Sequence, residues 1–192
     1  MNGDKKMNET IKNILNRRST RKFQQIQIKD EELETILNAG KYAPTAFNQQ
    51  SWHFTVVQNK EILERITEVF RDVLSKCDNS FLVSLAKSKD FSAFYKAPTF
   101  IIVTADEKAH APIHDATLAL GNMLLAAESL GIGACWLHSV NLVFATDEGK
   151  KLKEELGIPE GYIPVGSGAF GYKDVKSINP APRKDNTVNI IK

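Results

Sequence analysis

Thr99-Phe100-Ile101-Ile102-Val103-Thr104-Ala105 is an apolar run of strand length, rich in β-branched residues and introduced by Pro98. It lacks the in-and-out alternation of a half-solvated strand, so it predicts a strand covered on both faces, at the centre of a sheet. Beyond it, Asp115 to Leu130 spreads Leu118, Leu120, Met123, Leu124, Leu125, Ala126 and Ala127 almost around a helix. So little of that helix can face water that it belongs in the core or in a subunit interface. Gly131 supplies a C-cap, and Ala134-Cys135-Trp136-Leu137-His138 returns as a strand or extended segment.

Upstream, His53 to Val57 reads as a strand, and Ile62, Leu63, Ile66, Val69, Phe70, Val73 and Leu74 form the apolar stripe of a following helix. Before these, Asp30 can cap a helix with Leu33, Ile36 and Leu37 at helical spacing, closed by Ala43-Pro44-Thr45. A shorter amphipathic run holds Ile11, Ile14 and Leu15. Cys77 to Lys96 loosens into polar and aromatic residues, which suggests a long connection or short helices over a pocket. Downstream, Thr146 to Leu156 predicts a helix, Ile163 to Gly171 a strand, and Val188 to Ile191 a last short apolar run. Helices interleaved with a few strands predict an α+β or α/β chain, with a single sheet flanked by helices. Residues 1–192 suit one domain.

The chemistry is concentrated in Asn16-Arg17-Arg18-Ser19-Thr20-Arg21-Lys22-Phe23, where three arginines, a lysine and two hydroxyls fall together. Guanidinium forks bind phosphate oxygens in pairs, and a hydroxyl with backbone N–H groups completes such a cradle. A solvated basic face is the alternative. Lysine plus arginine (25) nearly balances aspartate plus glutamate (23), and a net charge of +2 gives no field of the kind that duplex-binding domains use. A local cluster in a balanced chain points to a small anion. No uncharged run is long enough to cross a bilayer, and Met1 to Asn8 is polar, so a cytoplasmic protein is expected. Cys77 and Cys135 make no disulfide framework, and no Cys or His spacing resembles a metal site.

The arginine cluster is followed by Ala43-Pro44-Thr45-Ala46-Phe47-Asn48-Gln49-Gln50-Ser51-Trp52, a loop of small and amide-bearing residues closed by an aromatic. Together these segments resemble the nitroreductase family of flavin mononucleotide (FMN) enzymes. Its Arg-Arg-Ser-x-Arg-x-Phe opening is matched by Arg17, Arg18, Ser19, Arg21 and Phe23. Its Pro-Ser-x-x-Asn-x-Gln-Pro-Trp loop is matched by Pro44, Asn48, Gln50 and Trp52, with departures at Thr45 and Ser51. Thr45 keeps the hydroxyl, whereas Ser51 gives up the fixed φ of proline. Ala97-Pro98, Asp115, Leu130 to Gly133, Trp136 and Pro182-Arg183-Lys184 follow in the family's order, so the resemblance spans nearly the whole chain.

The resemblance implies an α+β nitroreductase-like fold with a central, mainly antiparallel sheet, in an intertwined homodimer with FMN at the interface. It places Arg17, Arg18 and Ser19 on the phosphate and ribityl chain, with Arg183 reaching the same phosphate and Arg21 near the pyrimidine edge of the flavin. It brings Pro44, Thr45, Ala46, Asn48 and Gln50 into the cofactor site, the first four from the partner subunit. It lines the ring system with Trp136, Leu137, His138 and Ser139. The implied activity is reduction of nitroaromatics, quinones or similar flat acceptors by NADH or NADPH, in ping-pong order, with no metal. A flavin-binding or redox-sensing module with incidental turnover is the alternative.

Hydride transfer from a nicotinamide needs stacking and access rather than a side-chain acid or base, so no catalytic residue is assigned. His138 is open to two readings, a proton donor or a packed histidine whose backbone matters more. Cys135 reads as a small hydrophobe. Phe47, Phe91, Phe94 and Tyr95 suit either an aromatic wall for flat acceptors or ordinary packing.

Overall fold

The computed structural model describes residues 7–176 and 179–192. Of the polar start, Met1 to Lys6 lie outside the described residues. The elements run α1 (Glu9–Asn16), α2 (Asp30–Lys41), a 3-10 turn (Ala46–Asn48), β1 (Trp52–Val57), α3 (Lys60–Ser75), α4 (Ser80–Ala86) and β2 (Thr99–Asp106). Then come α5 (Pro112–Ser129), β3 (Ile132–Leu137), α6 (Val140–Phe144), α7 (Asp147–Glu155) and β4 (Tyr162–Tyr172).

The four strands form one sheet in the order β1-β2-β4-β3, every neighbouring pair antiparallel. As its composition predicts, β2 is central, and from Thr99 to Ala105 no residue is more than 1% exposed. Its side chains alternate between two cores. Phe100 and Ile102 join Leu63, Ile66, Val69, Phe70 and Leu74 of α3 on one face. Ile101, Val103 and Ala105 meet Ala116, Leu120, Met123 and Ala127 of α5 on the other. At roughly 25 cal/mol per Å2 of apolar surface removed from water, these two layers are the main source of stability.

The α5 helix is buried along one side only, leaving Ile113 (54%) and Leu118 (49%) in solvent. No residue of α1 is buried, and its apolar Ile11, Ile14 and Leu15 stand about half exposed. The chain thus carries apolar helix surface that its own fold does not cover.

Several boundaries differ from expectation. Asp30 is the first residue of α2 rather than its cap; Lys29 occupies the cap position, and its N–H donates to the Glu32 carboxylate at 2.9 Å. The Cys77 to Lys96 stretch contains α4 and then turns. The short α6 has no counterpart in the sequence reading. Val188 to Ile191 forms no helix or strand, and Val188, Ile190 and Ile191 are 74–97% exposed. Cys77 and Cys135 are both free thiols. Among the described residues, no helix is long and apolar enough to cross a membrane.

Candidate functional site

The Arg17 to Phe23 segment is extended and lies along the open edge of β3. Ser19 bridges Ala134 in parallel, with Thr20 N–H donating to the Ala134 carbonyl at 2.9 Å, and Phe23 bridges Lys173 just past β4. The approach is close because position 133 is glycine. A Cβ there would lie 2.8 Å from Thr20 Cγ2 and 2.9 Å from Thr20 Cβ.

An extended backbone sends alternate side chains to opposite sides, and this splits the basic cluster in two. Arg17, Ser19 and Arg21 gather around the buried Cys135 thiol, which burial pushes above its ordinary value while Arg21, the Ser19 hydroxyl and Arg17 pull it the other way. The Arg17 guanidinium has no protein hydrogen bond or ion pair among the described residues. Arg21 spends only its Nε–H, on the Tyr95 phenol oxygen at 3.3 Å. The two forks therefore keep most of their N–H donors free, as an oxyanion site requires.

Arg18, Thr20 and Lys22 face elsewhere. Arg18 Nη1 donates to the carbonyls of Leu15 (2.7 Å) and Arg17 (2.6 Å), and its buried Nε–H has no partner. Arg18 and Thr20 line a cavity of about 480 Å3 with Glu128 and Lys173, and Lys22 pairs with Asp174 at 3.3 Å.

The end of β3 supplies the next group. Trp136 is 47% exposed and packs over Gly166, where a Cβ would fall 2.9 Å from the indole nitrogen. Its ring lies 5.7 Å from that of His138. His138 is exposed, so it is not a packed core histidine. Leu137 and Ser139 are partly buried, and the Leu137 carbonyl accepts from the Ser167 hydroxyl at 3.1 Å. Asn141, at the start of α6, donates to the Val165 carbonyl at 3.3 Å with Nδ2 3.5 Å from His138 Nδ1.

The loop from Pro44 to Gln50 forms a second, separate group, anchored to the start of α5. The Asp115 carboxylate, only 3% exposed, accepts the Ala46 N–H with both oxygens at 3.2 Å. Gln49 Oε1 accepts the His110 N–H at 2.8 Å, Thr45 Oγ1 accepts the Gln50 N–H at 3.3 Å, and Gln50 Nε2 donates to Asn48 Oδ1 at 3.1 Å. Phe47, Asn48 and Gln50 all take positive φ (52°, 55° and 48°), a conformation sparsely populated by residues with a Cβ. Phe47 projects outward at 82% exposure, edge-on to the His110 ring. No hydrogen bond among the described residues joins this loop to the Arg17 to Arg21 segment. Arg183 is exposed, in a stretch with no helix or strand.

The aromatic residues divide. Phe91 (8% exposed) and Phe94 (4%) are core residues, Phe94 packing on Phe100 with ring centroids 5.0 Å apart, while Tyr95 and Phe47 are accessible. A cavity of about 740 Å3 opens between α3 and the Phe91 to Pro98 stretch, lined by Gln27, Gln58, Leu63, Arg71, Phe91 and Phe94 among others, but by none of the expected cofactor-binding residues. Two residues already named from the sequence, Tyr95 and Asp115, were given no bracing role there. Tyr95 carried no signal beyond its aromaticity, whereas Asp115, a charge opening an otherwise apolar helix, was a signal that something polar must meet it. Among the described residues, no cluster of His, Cys, Asp and Glu could hold a metal ion.

The model of the nitroreductase family matches residues 14–172. A protein of Archaeoglobus fulgidus, named provisionally as an NADH dehydrogenase/NAD(P)H nitroreductase, is 37% identical over 187 residues, covering 94% of this chain and 95% of its own. The crystal structure of a nitroreductase with bound FMN from Bacteroides fragilis is similar at a TM-score of 0.91 and 34% identity, covering 97% of this chain and 100% of that one. A second FMN-bound nitroreductase, from Desulfitobacterium hafniense, is similar at 0.86 and 30% identity, covering 96% and 100%. With a matching motif order, an antiparallel four-stranded sheet and similarity along nearly its whole length, the chain belongs to the nitroreductase family.

Proposed function

We propose that residues 1–192 form one FMN-binding domain of a cytoplasmic homodimer that uses NADH or NADPH to reduce nitroaromatics, quinones or similar flat acceptors. The observation that carries this is the convergence of Arg17, Ser19 and Arg21 on one side of the β3 edge, with guanidinium donors left free. That donor set fits FMN: forks and a hydroxyl for a phosphate and ribityl chain, and a separate cation for the ring edge. When bound, FMN supplies a two-electron store that a nicotinamide fills and an acceptor empties in turn, the ping-pong order.

Each residue then has a task. Arg17 and Ser19 hold the phosphate and ribityl chain, Arg18 contributes its backbone because its side chain is committed to carbonyls, and Arg183 reaches the phosphate from the tail. Arg21 sets a positive charge at the pyrimidine edge. Trp136, Leu137, His138 and Ser139 line the ring system, the backbone serving where no side-chain acid is needed. Pro44, Thr45, Ala46 and Asn48 reach the site from a second copy, with Gln50 bracing the loop through Asn48. The separation of this loop from Arg17 to Arg21 within one chain supports delivery from a partner, and the apolar exposure of α1 and of Ile113 and Leu118 supplies a surface for that partner to cover.

An anaerobic visible spectrum before and after adding NADH, then NADPH, tests this reading. A yellow protein bleached by either nucleotide is expected. A yellow protein that neither bleaches would favour a flavin-binding module, and a colourless protein unable to take up FMN would refute the proposal.

A further inference from the structure

We infer that Tyr95 is the positioning residue for Arg21, and that through Arg21 it sets how strongly the site prefers reduced over oxidised FMN. This rests on the flavin reading above and adds a residue to it.

Arg21 is exposed and has no carboxylate partner among the described residues, so nothing on its own segment would keep its long side chain in one place. Its orientation comes from across the fold. Nε donates to the Tyr95 oxygen at 3.3 Å, with the guanidinium carbon 5.8 Å from the ring centroid. This contact uses the Nε edge and leaves the four Nη hydrogens free to face a ligand. The phenol oxygen also holds the guanidinium more firmly in its charged form.

Tyr95 is itself held hard. Tyr95 and Lys96 both take positive φ (58° and 56°), and two consecutive residues with a Cβ keep that backbone only where the surroundings over-determine it. Here Lys96 N–H donates to Ser92 Oγ at 2.8 Å, Ala97 N–H to the Phe94 carbonyl at 3.1 Å, and Gln25 Nε2 to the Lys96 carbonyl at 3.1 Å, while Phe94 is buried. Gln25 continues from the arginine segment, so the Tyr95 turn and that segment are tied at two points. The consequence is a cation fixed relative to the β3 edge.

Reduction places negative charge on one edge of the flavin ring system, so a cation fixed there favours the reduced form, and a cation free to swing away favours it less. Tyr95→Phe removes only the oxygen and keeps the ring. The expected result is affinity for oxidised FMN within about twofold of wild type and a three- to tenfold loss of preference for the reduced form. That loss lowers the midpoint potential by about 15–30 mV, at 29.6 mV per tenfold for a two-electron couple. Arg21→Ala should lower the potential at least as far, and the double variant no further than Arg21→Ala alone, because Tyr95 acts through Arg21. A Tyr95→Phe potential equal to wild type, or an effect that adds in full to Arg21→Ala, overturns the assignment while leaving the flavin reading intact. A wild-type protein that takes up no FMN in the same titration overturns both.

Discussion

Replacing Gly133 by alanine tests whether the close approach of the arginine segment to β3 builds the anion site. The new Cβ would stand 2.8 Å from Thr20 Cγ2, 2.9 Å from Thr20 Cβ and 2.9 Å from Lys173 Cγ. Carbon atoms pack at about 3.5–4.0 Å, so the Thr20 backbone must retreat by roughly 0.7 Å; the Lys173 side chain can swing, but Thr20, 2% exposed, cannot. The 2.9 Å bond from Thr20 N–H to the Ala134 carbonyl then stretches beyond hydrogen-bonding range. Overpacking costs about 1–3 kcal/mol and the bond about 1, offset by the roughly 0.4–1 kcal/mol that alanine gains through the unfolded chain. A net loss of about 2 kcal/mol lowers Tm by about 4–8 °C in a chain of this size. Ser19 and its neighbouring arginines move with Thr20, so FMN affinity, followed by quenching of flavin fluorescence, should fall tenfold or more. Adding Thr20→Ser removes the methyl that clashes first and should recover part of both losses. A Gly133→Ala protein that melts within 1 °C of wild type and keeps full FMN affinity would refute the reasoning.

Asp115→Asn keeps the shape of the anchor under Ala46 and removes its charge, so a loss of about 2 kcal/mol is expected, with faster hydrogen exchange at the Ala46 and His110 amides; unchanged exchange there would show that the carboxylate does not hold the loop. Phe47→Ala removes an exposed ring and should change stability by less than about 0.5 kcal/mol while raising KM for a quinone several-fold; an unaltered KM would exclude Phe47 from the acceptor wall. The Tyr172 hydroxyl donates to Glu32 at 2.6 Å, which, with the Lys29 N–H, holds the carboxyl below its ordinary value near 4.5 and raises the phenol above its ordinary 10.0. The carboxylate contribution is present above the unfolded pKa and lost as pH falls through the lowered one. The phenol contribution is present below its unfolded pKa and lost as pH rises through the raised one. Chemical denaturation across pH should therefore show the stability advantage of wild type over Tyr172→Phe shrinking at both ends, and an advantage constant down to pH 3 would contradict this.

The elements that were legible in the sequence are those whose composition answers to burial alone. β2 is apolar without alternation because both its faces are covered, and the α3 stripe follows one helix face. The arginine motif pointed to an anion, yet the split of Arg17, Ser19 and Arg21 from Arg18, Thr20 and Lys22 required knowing that the segment is extended. What stayed hidden depends on partners far along the chain. Nothing local in Phe-Tyr-Lys predicts two left-handed residues, because one of the bonds that hold them comes from Gln25, 71 residues earlier. Phe91 and Phe94 look like Phe47 in composition, and only packing separates core from display. Val188 to Ile191 has the apolarity of a strand yet pairs with no strand among the described residues.

The bridges that hold the arginine segment also order events during synthesis. Ser19 and Phe23 emerge early, but their partners, Ala134 and Lys173, follow 115 and 150 residues later. At the roughly 5–20 residues per second of translation, about 8–30 s separate the appearance of Phe23 from that of Lys173. Until β3 has been made, the Arg17 to Arg21 segment has no strand to lie against. A cofactor site built on that segment can therefore be completed only after β3 and β4 have joined the sheet.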